Sequence, residues 1–155
     1  MKKIIAAALC TIIALCASGC NKYGEYSEHT GTVYQTQAQP TNNVEVSFVS
    51  AKTYRAAWDD DYLLVTLNVT NNTGAKGNCL VYLEAFQNDI PLDIQNYGTL
   101  DSEYDSDNLK KYIDSGSSAE ITYAFILKNK SDDVNIDIYN TKTNKKIAIK
   151  TITFN

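Results

Sequence analysis

Two acidic clusters carry the clearest potential for chemistry in this sequence. Residues 59–61 are three adjacent aspartates, and the segment DSEYDSD (101–107) places a carboxylate at every second residue. Carboxylate pairs hydrolyse glycosidic bonds when they are held at a fixed separation, and carboxylate-rich loops bind calcium. However, nothing holds the first cluster rigidly, and Ser106 and Tyr112 stand where an EF-hand loop requires Gly and Glu. We therefore predict solvated acidic loops without a metal site.

Histidine and cysteine chemistry has little support. The single histidine, His29, falls in a polar N-terminal segment, whereas a catalytic triad needs a histidine held beside its nucleophile. Zinc needs several Cys or His ligands, and glycine-rich nucleotide-binding motifs are missing. We expect Cys79 to be buried like a small apolar side chain. These features predict a protein that is not an enzyme and has no cofactor.

Three aromatic residues flank the first acidic cluster: Tyr54, Trp58 and Tyr62. Aromatic side chains with a polar group are enriched in binding surfaces, so these residues form a candidate binding surface. Trp58 has a second interpretation, in which it seals one end of a hydrophobic core.

The segments around these residues alternate apolar and polar side chains with the period of two that is typical of β-strands. The six segments that do so, or that are uniformly apolar, are 44–48, 63–69, 80–86, 121–127, 134–138 and 147–154. Turns rich in Asn, Asp and Gly separate them. Only residues 105–113 suggest a short helix, with Leu109, Tyr112 and Ile113 on one face. The pattern predicts an all-β, antiparallel β-sandwich of about seven strands over residues 44–155, with a closed barrel as the alternative.

The first residues are typical of a secretory signal. Lys2 and Lys3 precede an apolar run at 4–15, in which Thr11 is the only polar residue. This run is too short for a membrane-spanning helix, which needs about 20 residues. We expect residues 1–19 to be a signal peptide.

The end of this segment, Ala17-Ser18-Gly19-Cys20, resembles the lipobox of bacterial lipoproteins, although Ala17 stands where leucine is usual. In that family a peptidase that recognises small residues cuts just before the cysteine, which carries a diacylglyceryl group. The resemblance implies lipidation of Cys20 and anchoring to the extracytoplasmic face of the cell membrane, since two acyl chains hold a protein stably. The alternative is an ordinary signal cut near Ala17. Polar residues 20–43 are predicted to form a flexible tether.

Charge and cysteine content restrict the domain further. The chain has 14 basic and 18 acidic residues, and loss of Lys2 and Lys3 leaves a net charge of about −6. Such a chain is expected to bind nucleic acid poorly, because affinity for the phosphates comes mainly from Lys and Arg. After Cys20 only Cys79 remains in the predicted mature chain, so we predict no internal disulfide.

Three segments together resemble a family of Gram-positive extracytoplasmic lipoproteins that have a single immunoglobulin-like domain of unknown function. They are LLVTLNVTNNTG (63–74), VYLEAFQNDIPL (81–92) and IDSGSSAEITYAFIL (113–127). Asp89 replaces the usual hairpin glycine, and residues 114–116 stand where Pro-Gly is usual. The resemblance implies an immunoglobulin-like sandwich outside the cytoplasm and brings no catalytic residues.

These observations predict a membrane-anchored, non-catalytic binding or interaction module. Its expected partners are membrane lipid, through Cys20, and a protein or glycan of the envelope or the extracellular space. An immunity-type lipoprotein that sequesters a toxin or lytic enzyme is one alternative, and a carboxylate-dependent glycan hydrolase is another.

Overall fold

A computed structural model describes residues 26–28, 44–56, 60–96, 98–100 and 104–154. Most of these residues belong to β-strands, one short 3₁₀ helix spans Ser106–Lys110, and the described part of the chain contains no α-helix. The strands are β1 (Tyr26–Glu28), β2 (Val44–Arg55), β3 (Asp61–Asn71), β4 (Val81–Gln87), β5 (Ile90–Pro91), β6 (Thr99–Leu100), β7 (Tyr104–Asp105), β8 (Ser117–Ile126), β9 (Val134–Asn140) and β10 (Lys145–Ile152).

The strands form two antiparallel sheets that pack face to face. The first sheet has the order β1-β2-β3-β8, the second has the order β10-β9-β4-β5, and β6 pairs with β7 in a small ribbon. The predicted all-β antiparallel sandwich is therefore confirmed, and each of the six predicted strand segments overlaps a strand. The immunoglobulin-like connectivity stays a prediction.

The main core lies between the sheets and follows from the alternation in the sequence. Residues at every second position of a strand share one face, and four such residues of β3 are each about 1% exposed. They are Leu63, Val65, Leu67 and Val69. Opposite them, Ile136 and Val134 of β9 are completely buried. Burial of this apolar surface is the main stabilising contribution that a domain without an internal disulfide can use.

A second, smaller core covers part of the outer face of the first sheet. After β5 the chain crosses to the free edge of β8, where the Gln95 amide donates to the Ala124 carbonyl at 2.8 Å. The β6–β7 ribbon then places Leu100 and Tyr104 over Tyr62 and its neighbours. Because of this cover, residues 62–65 of β3 are all buried and the alternation is lost there.

The predicted short helix exists only as a single 3₁₀ segment. Ile113, beyond its end, is buried, but Tyr112 is 62% exposed, so the predicted apolar face is wrong at Tyr112. The segment is too short for residues 109, 112 and 113 to continue one helical face, because its regular structure ends at Lys110.

Part of the predicted tether is a strand. Residues 26–28 pair with β2, with Tyr26 opposite Tyr54 and Glu28 opposite Lys52. The remainder of 20–43 lies outside the described residues, as do the predicted signal peptide and Ala17, Ser18, Gly19 and Cys20. Cleavage, lipidation and the flexibility of the tether stay predictions.

Candidate binding site

The structure buries two of the three residues of the predicted aromatic surface. Tyr54 and Tyr62 lie opposite each other on β2 and β3, with 4% and 2% of their surfaces exposed. Leu100 and Tyr104 pack in the same cluster. The proposal of Tyr54 and Tyr62 as a binding surface is therefore wrong, because side chains this deeply covered cannot reach a ligand. Trp58 lies outside the described residues.

The first acidic cluster contributes a structural ion pair. Asp61 accepts from Arg55 Nη1 at 3.2 Å and from Lys130 Nζ at 2.7 Å, and its side chain is 20% exposed. These contacts join the β2–β3 turn to the loop after β8. Asp60 is exposed, and Asp59 is not among the described residues.

The second acidic cluster is partly described, from residue 104 onward. Asp105 caps the 3₁₀ helix by accepting from the Asp107 amide at 2.9 Å, and Asp107 pairs with Lys110 at 3.3 Å. Within the described ranges, no group of three or more potential metal ligands occurs. The prediction that the chain holds no metal remains untested.

Cys79 is exposed, so the prediction that it is buried is wrong. It lies in the turn before β4 with a φ of 47°, and its Sγ donates to the Leu109 carbonyl at 3.4 Å. A residue other than glycine that has a positive φ usually lies in a turn. This explains why Cys79 does not share the burial pattern of the apolar strand that follows.

Two buried amides organise the ends of the sandwich. Asn71 donates to the carbonyls of Ala75 and Ile113, both at 2.8 Å, and accepts from Thr73. At the opposite end, Gln87 donates to the Asp132 carbonyl and accepts from the Lys128 amide, both at 2.8 Å. Both amides come from the segments that carried the family resemblance, and their many hydrogen bonds give them structural roles.

A pocket of about 370 Å³ lies at the Asn71 end, and we call it the end pocket. The loop between β3 and β4 and the turn between β9 and β10 form its walls, and the first residue of β2 closes one side. Its lining residues are Val44, Thr73, Ala75, Asn78, Cys79, Leu80, Asn140, Thr141, Lys142 and Thr143.

The end pocket is lined mostly by uncharged side chains, both apolar and polar. The buried Asn140 side chain accepts from the Thr143 amide at 3.0 Å, which holds the β9–β10 turn in shape. The Thr143 hydroxyl is buried and has no hydrogen-bond partner. A buried hydroxyl without a partner costs about 1–3 kcal/mol of stability. Among the described residues that line the pocket, Lys142 is the only cationic one.

An aromatic surface adjoins the end pocket on the outer face of the second sheet. The rings of Tyr82 and Tyr139 are stacked, with centroids 4.8 Å apart and planes at 6°. Lys146 Nζ lies 5.6 Å from the Tyr139 ring and 2.5 Å from an Asp137 carboxylate oxygen. The Tyr82 hydroxyl donates to Asn144 Oδ1 at 2.5 Å, so the turn that lines the pocket also supports this surface.

The electrostatics of this surface follow from its cross-strand neighbours. Desolvation raises the pKa of Tyr139, and the charges of Glu84 and Asp137 add to the effect. The hydrogen bond to Asp137 raises the pKa of Lys146. Glu84 and Asp137 lie directly opposite each other on β4 and β9, a like-charge pair that destabilises a sheet unless a cation such as Lys146 compensates it.

Sequence reasoning missed both the end pocket and this tyrosine pair. Tyr82 and Tyr139 occupy outward positions of their strands, but Tyr54 and Tyr62 do so too and are buried, so this position alone does not identify an accessible tyrosine. Their register and the approach of two separate turns at one end of the sandwich depend on contacts between distant parts of the chain.

These features define a small antiparallel β-sandwich domain with a mostly uncharged pocket between the loops at one end. Residues 25–140, about three quarters of the chain, match the family DUF5067, a domain of unknown function. The chain belongs to this family. No curated protein and no solved structure matches it. In the described part of the chain, no helix is long and apolar enough to cross a membrane.

Proposed function

We propose that this protein is an extracytoplasmic lipoprotein, anchored to the cell membrane through Cys20, whose sandwich is a non-catalytic binding module. The positive start, the short apolar run and Ala17-Ser18-Gly19-Cys20 support the anchor. The motif segments at 63–74, 81–92 and 113–127 support placement among Gram-positive lipoproteins with an immunoglobulin-like domain.

The end pocket carries the binding part of the proposal. Its volume of about 370 Å³ lies within the range of about 300–1,000 Å³ that is common for ligand sites. Asn78 and Thr141 supply uncharged donors and acceptors, while Val44 and Leu80 supply apolar contact. This combination suits an uncharged sugar unit of an envelope glycan, whose hydroxyls and ring faces need both kinds of contact.

The composition of the pocket also favours binding over catalysis. Within the part of the lining that the structure describes, Lys142 and Cys79 are the only titratable groups. General acid–base hydrolysis of a glycan requires two carboxylates, which the described lining residues do not supply. The chain therefore acts, in this proposal, by holding a ligand at the cell surface.

Binding can be tested with a soluble chain that starts at residue 21, so that β1 is retained. Ala75→Trp would fill the end pocket while it keeps the backbone carbonyl to which Asn71 donates. Ser115→Trp is the matched control, because Ser115 is exposed on a neighbouring turn and does not line the pocket. The probe is purified peptidoglycan and its soluble fragments.

We expect Ala75→Trp to weaken binding at least about tenfold, or about 1.4 kcal/mol, and Ser115→Trp to leave it unchanged. Both variants should keep the thermal midpoint of the parent. Equal binding by the two variants, or turnover of the glycan by the parent chain, would refute the proposed function of the pocket.

The anchor has its own test. Cys20→Ser should shift the protein from the membrane fraction to the soluble fraction, or leave an uncleaved precursor. A Cys20→Ser chain that is processed normally and stays in the membrane fraction would show that the anchor is elsewhere.

A further inference from the structure

The pairing of β1 connects the predicted anchor to one end of the sandwich. Tyr26 lies opposite Tyr54, next to Arg55 at the end of β2. Arg55 and Lys130 bind Asp61 at this end, and we call it the Arg55 end. The match to the domain family begins at residue 25, which independently includes this strand in the domain.

Only six residue steps separate Cys20 from Tyr26. A fully extended chain covers about 3.3–3.6 Å per residue, so the reach from Cys20 to the domain is at most about 20 Å. β2 runs from Val44 at the end pocket to Tyr54 at the Arg55 end. Because a strand rises about 3.3 Å per residue, the two ends of the sandwich lie about 30 Å apart, which is more than the reach of the segment before Tyr26.

We infer that the domain stands on the membrane with its Arg55 end and presents the end pocket away from the bilayer. This inference rests on the proposed lipid anchor at Cys20. An inverted domain would need the segment before Tyr26 to run along the whole sandwich, and about 20 Å of chain cannot cover about 30 Å. The pocket then faces outward, where envelope polymers are accessible.

Two single-cysteine reporters test the orientation in lipidated protein that has been reconstituted into liposomes. Both are made in a Cys79→Ser background. Ser131→Cys reports the position of the Arg55 end, because Ser131 follows Lys130, which binds Asp61 there. Ser115→Cys reports the position of the pocket end, because the amide of the next residue, Gly116, donates a hydrogen bond to the Asn71 carbonyl at 2.7 Å. Both serines are exposed, so the substitutions are matched. Each thiol carries a donor dye, and the lipid headgroups carry the acceptor.

We expect the dye at residue 131 to lose most of its emission to the headgroup acceptor and the dye at residue 115 to retain most of its emission. Equal transfer from the two positions, or greater transfer from residue 115, would overturn the inference. Release of the chain from liposomes would instead contradict the anchor, so the two failures are distinguishable.

A pair of insertions tests the role of β1 directly. About ten Gly and Ser residues placed after Lys22 add roughly 30 Å of reach before β1 and should abolish the difference between the reporters. The same insertion after Gln39, between β1 and β2, should preserve it. Equal effects of the two insertions would show that β1 does not hold the anchor at the Arg55 end.

Discussion

Two cross-strand tyrosine pairs occupy the outer faces of the two sheets and have opposite environments. Tyr54 and Tyr62 face each other on β2 and β3 and are almost completely buried. Tyr82 and Tyr139 face each other on β4 and β9 and are only half-buried, with their rings stacked.

The difference comes from a segment that is distant in sequence from the first pair. Leu100 and Tyr104, on the β6–β7 ribbon, pack with Tyr54 and Tyr62. The second pair instead has Lys146 beside Tyr139. The same local pattern, an outward tyrosine on an alternating strand, therefore becomes core or surface according to which other part of the chain packs over it.

The largest expected effect is a difference in stability between the two pairs. Tyr62→Ala should destabilise the domain by about 3–5 kcal/mol, as truncation of a large buried aromatic residue does. Tyr82→Ala should cost only about 0.2–1 kcal/mol, the usual value of one cross-strand pair. Guanidinium-induced unfolding of both variants measures the difference. Similar losses of stability in the two variants would mean that the β6–β7 ribbon does not make the two tyrosine pairs different.

Removal of the cover should reproduce part of this loss. Leu100→Ala leaves a cavity over Tyr62 and should destabilise the domain by an amount near the lower end of about 2–5 kcal/mol. Ile90→Ala, at a side chain that is 54% exposed, is the control and should change the stability by less than about 0.5 kcal/mol. The same unfolding measurement applies, and a neutral Leu100→Ala variant would contradict the role of the ribbon.

Two lysines on β10 extend the comparison to cations. Lys146 lies beside Tyr139 on the outer face, whereas Lys150 points inward, is 6% exposed and lies 4.2 Å from the centroid of Phe48 without a hydrogen-bond partner. An inward lysine on an edge strand disfavours pairing with another chain but costs stability. Lys150→Met should therefore stabilise the folded domain by about 1–2 kcal/mol, the usual scale for an unpaired buried polar group.

The effect of Lys150 should depend on pH. Burial lowers the pKa of Lys150 in the folded state below its ordinary value of 10.5. Between these two pKa values, the unfolded state therefore binds more protons than the folded state. The stability of the parent should rise with pH across this range, and the advantage of Lys150→Met should shrink. Thermal unfolding at several alkaline pH values measures this, and a constant advantage would contradict it.

The smallest expected effect concerns the covering tyrosine. Burial, with help from Asp105, raises the pKa of Tyr104 to about 12, and its hydroxyl donates to the Gln95 carbonyl. Tyr104→Phe should cost about 1 kcal/mol at neutral pH through the lost hydrogen bond. The pKa of Tyr104 is higher in the folded state than in the unfolded state, so the folded state holds this proton more tightly. The stability that this difference contributes is lost as the pH rises from 10 through 12. The parent should lose stability faster than Tyr104→Phe in this range, and parallel pH profiles would refute the assignment.

The strands and their inner faces follow from the pattern of apolar residues in the sequence. The alternation at 63–69 and at 134–138 predicts which side chains enter the core, and the structure buries Leu63, Val65 and Ile136 as expected. This was possible because the period of a strand is a local property, set by backbone geometry within a few residues.

Which outward residues remain accessible depends on the tertiary contacts. The folded structure buries Tyr54 and Tyr62, exposes Cys79, pairs Tyr26 with Tyr54 and brings the turns at 72–80 and 140–144 together around a pocket. Each of these outcomes depends on contacts between segments far apart in the chain. Local periodicity carries no information about such contacts, because a side chain that leaves the sheet points in the same direction whether solvent or another segment lies above it.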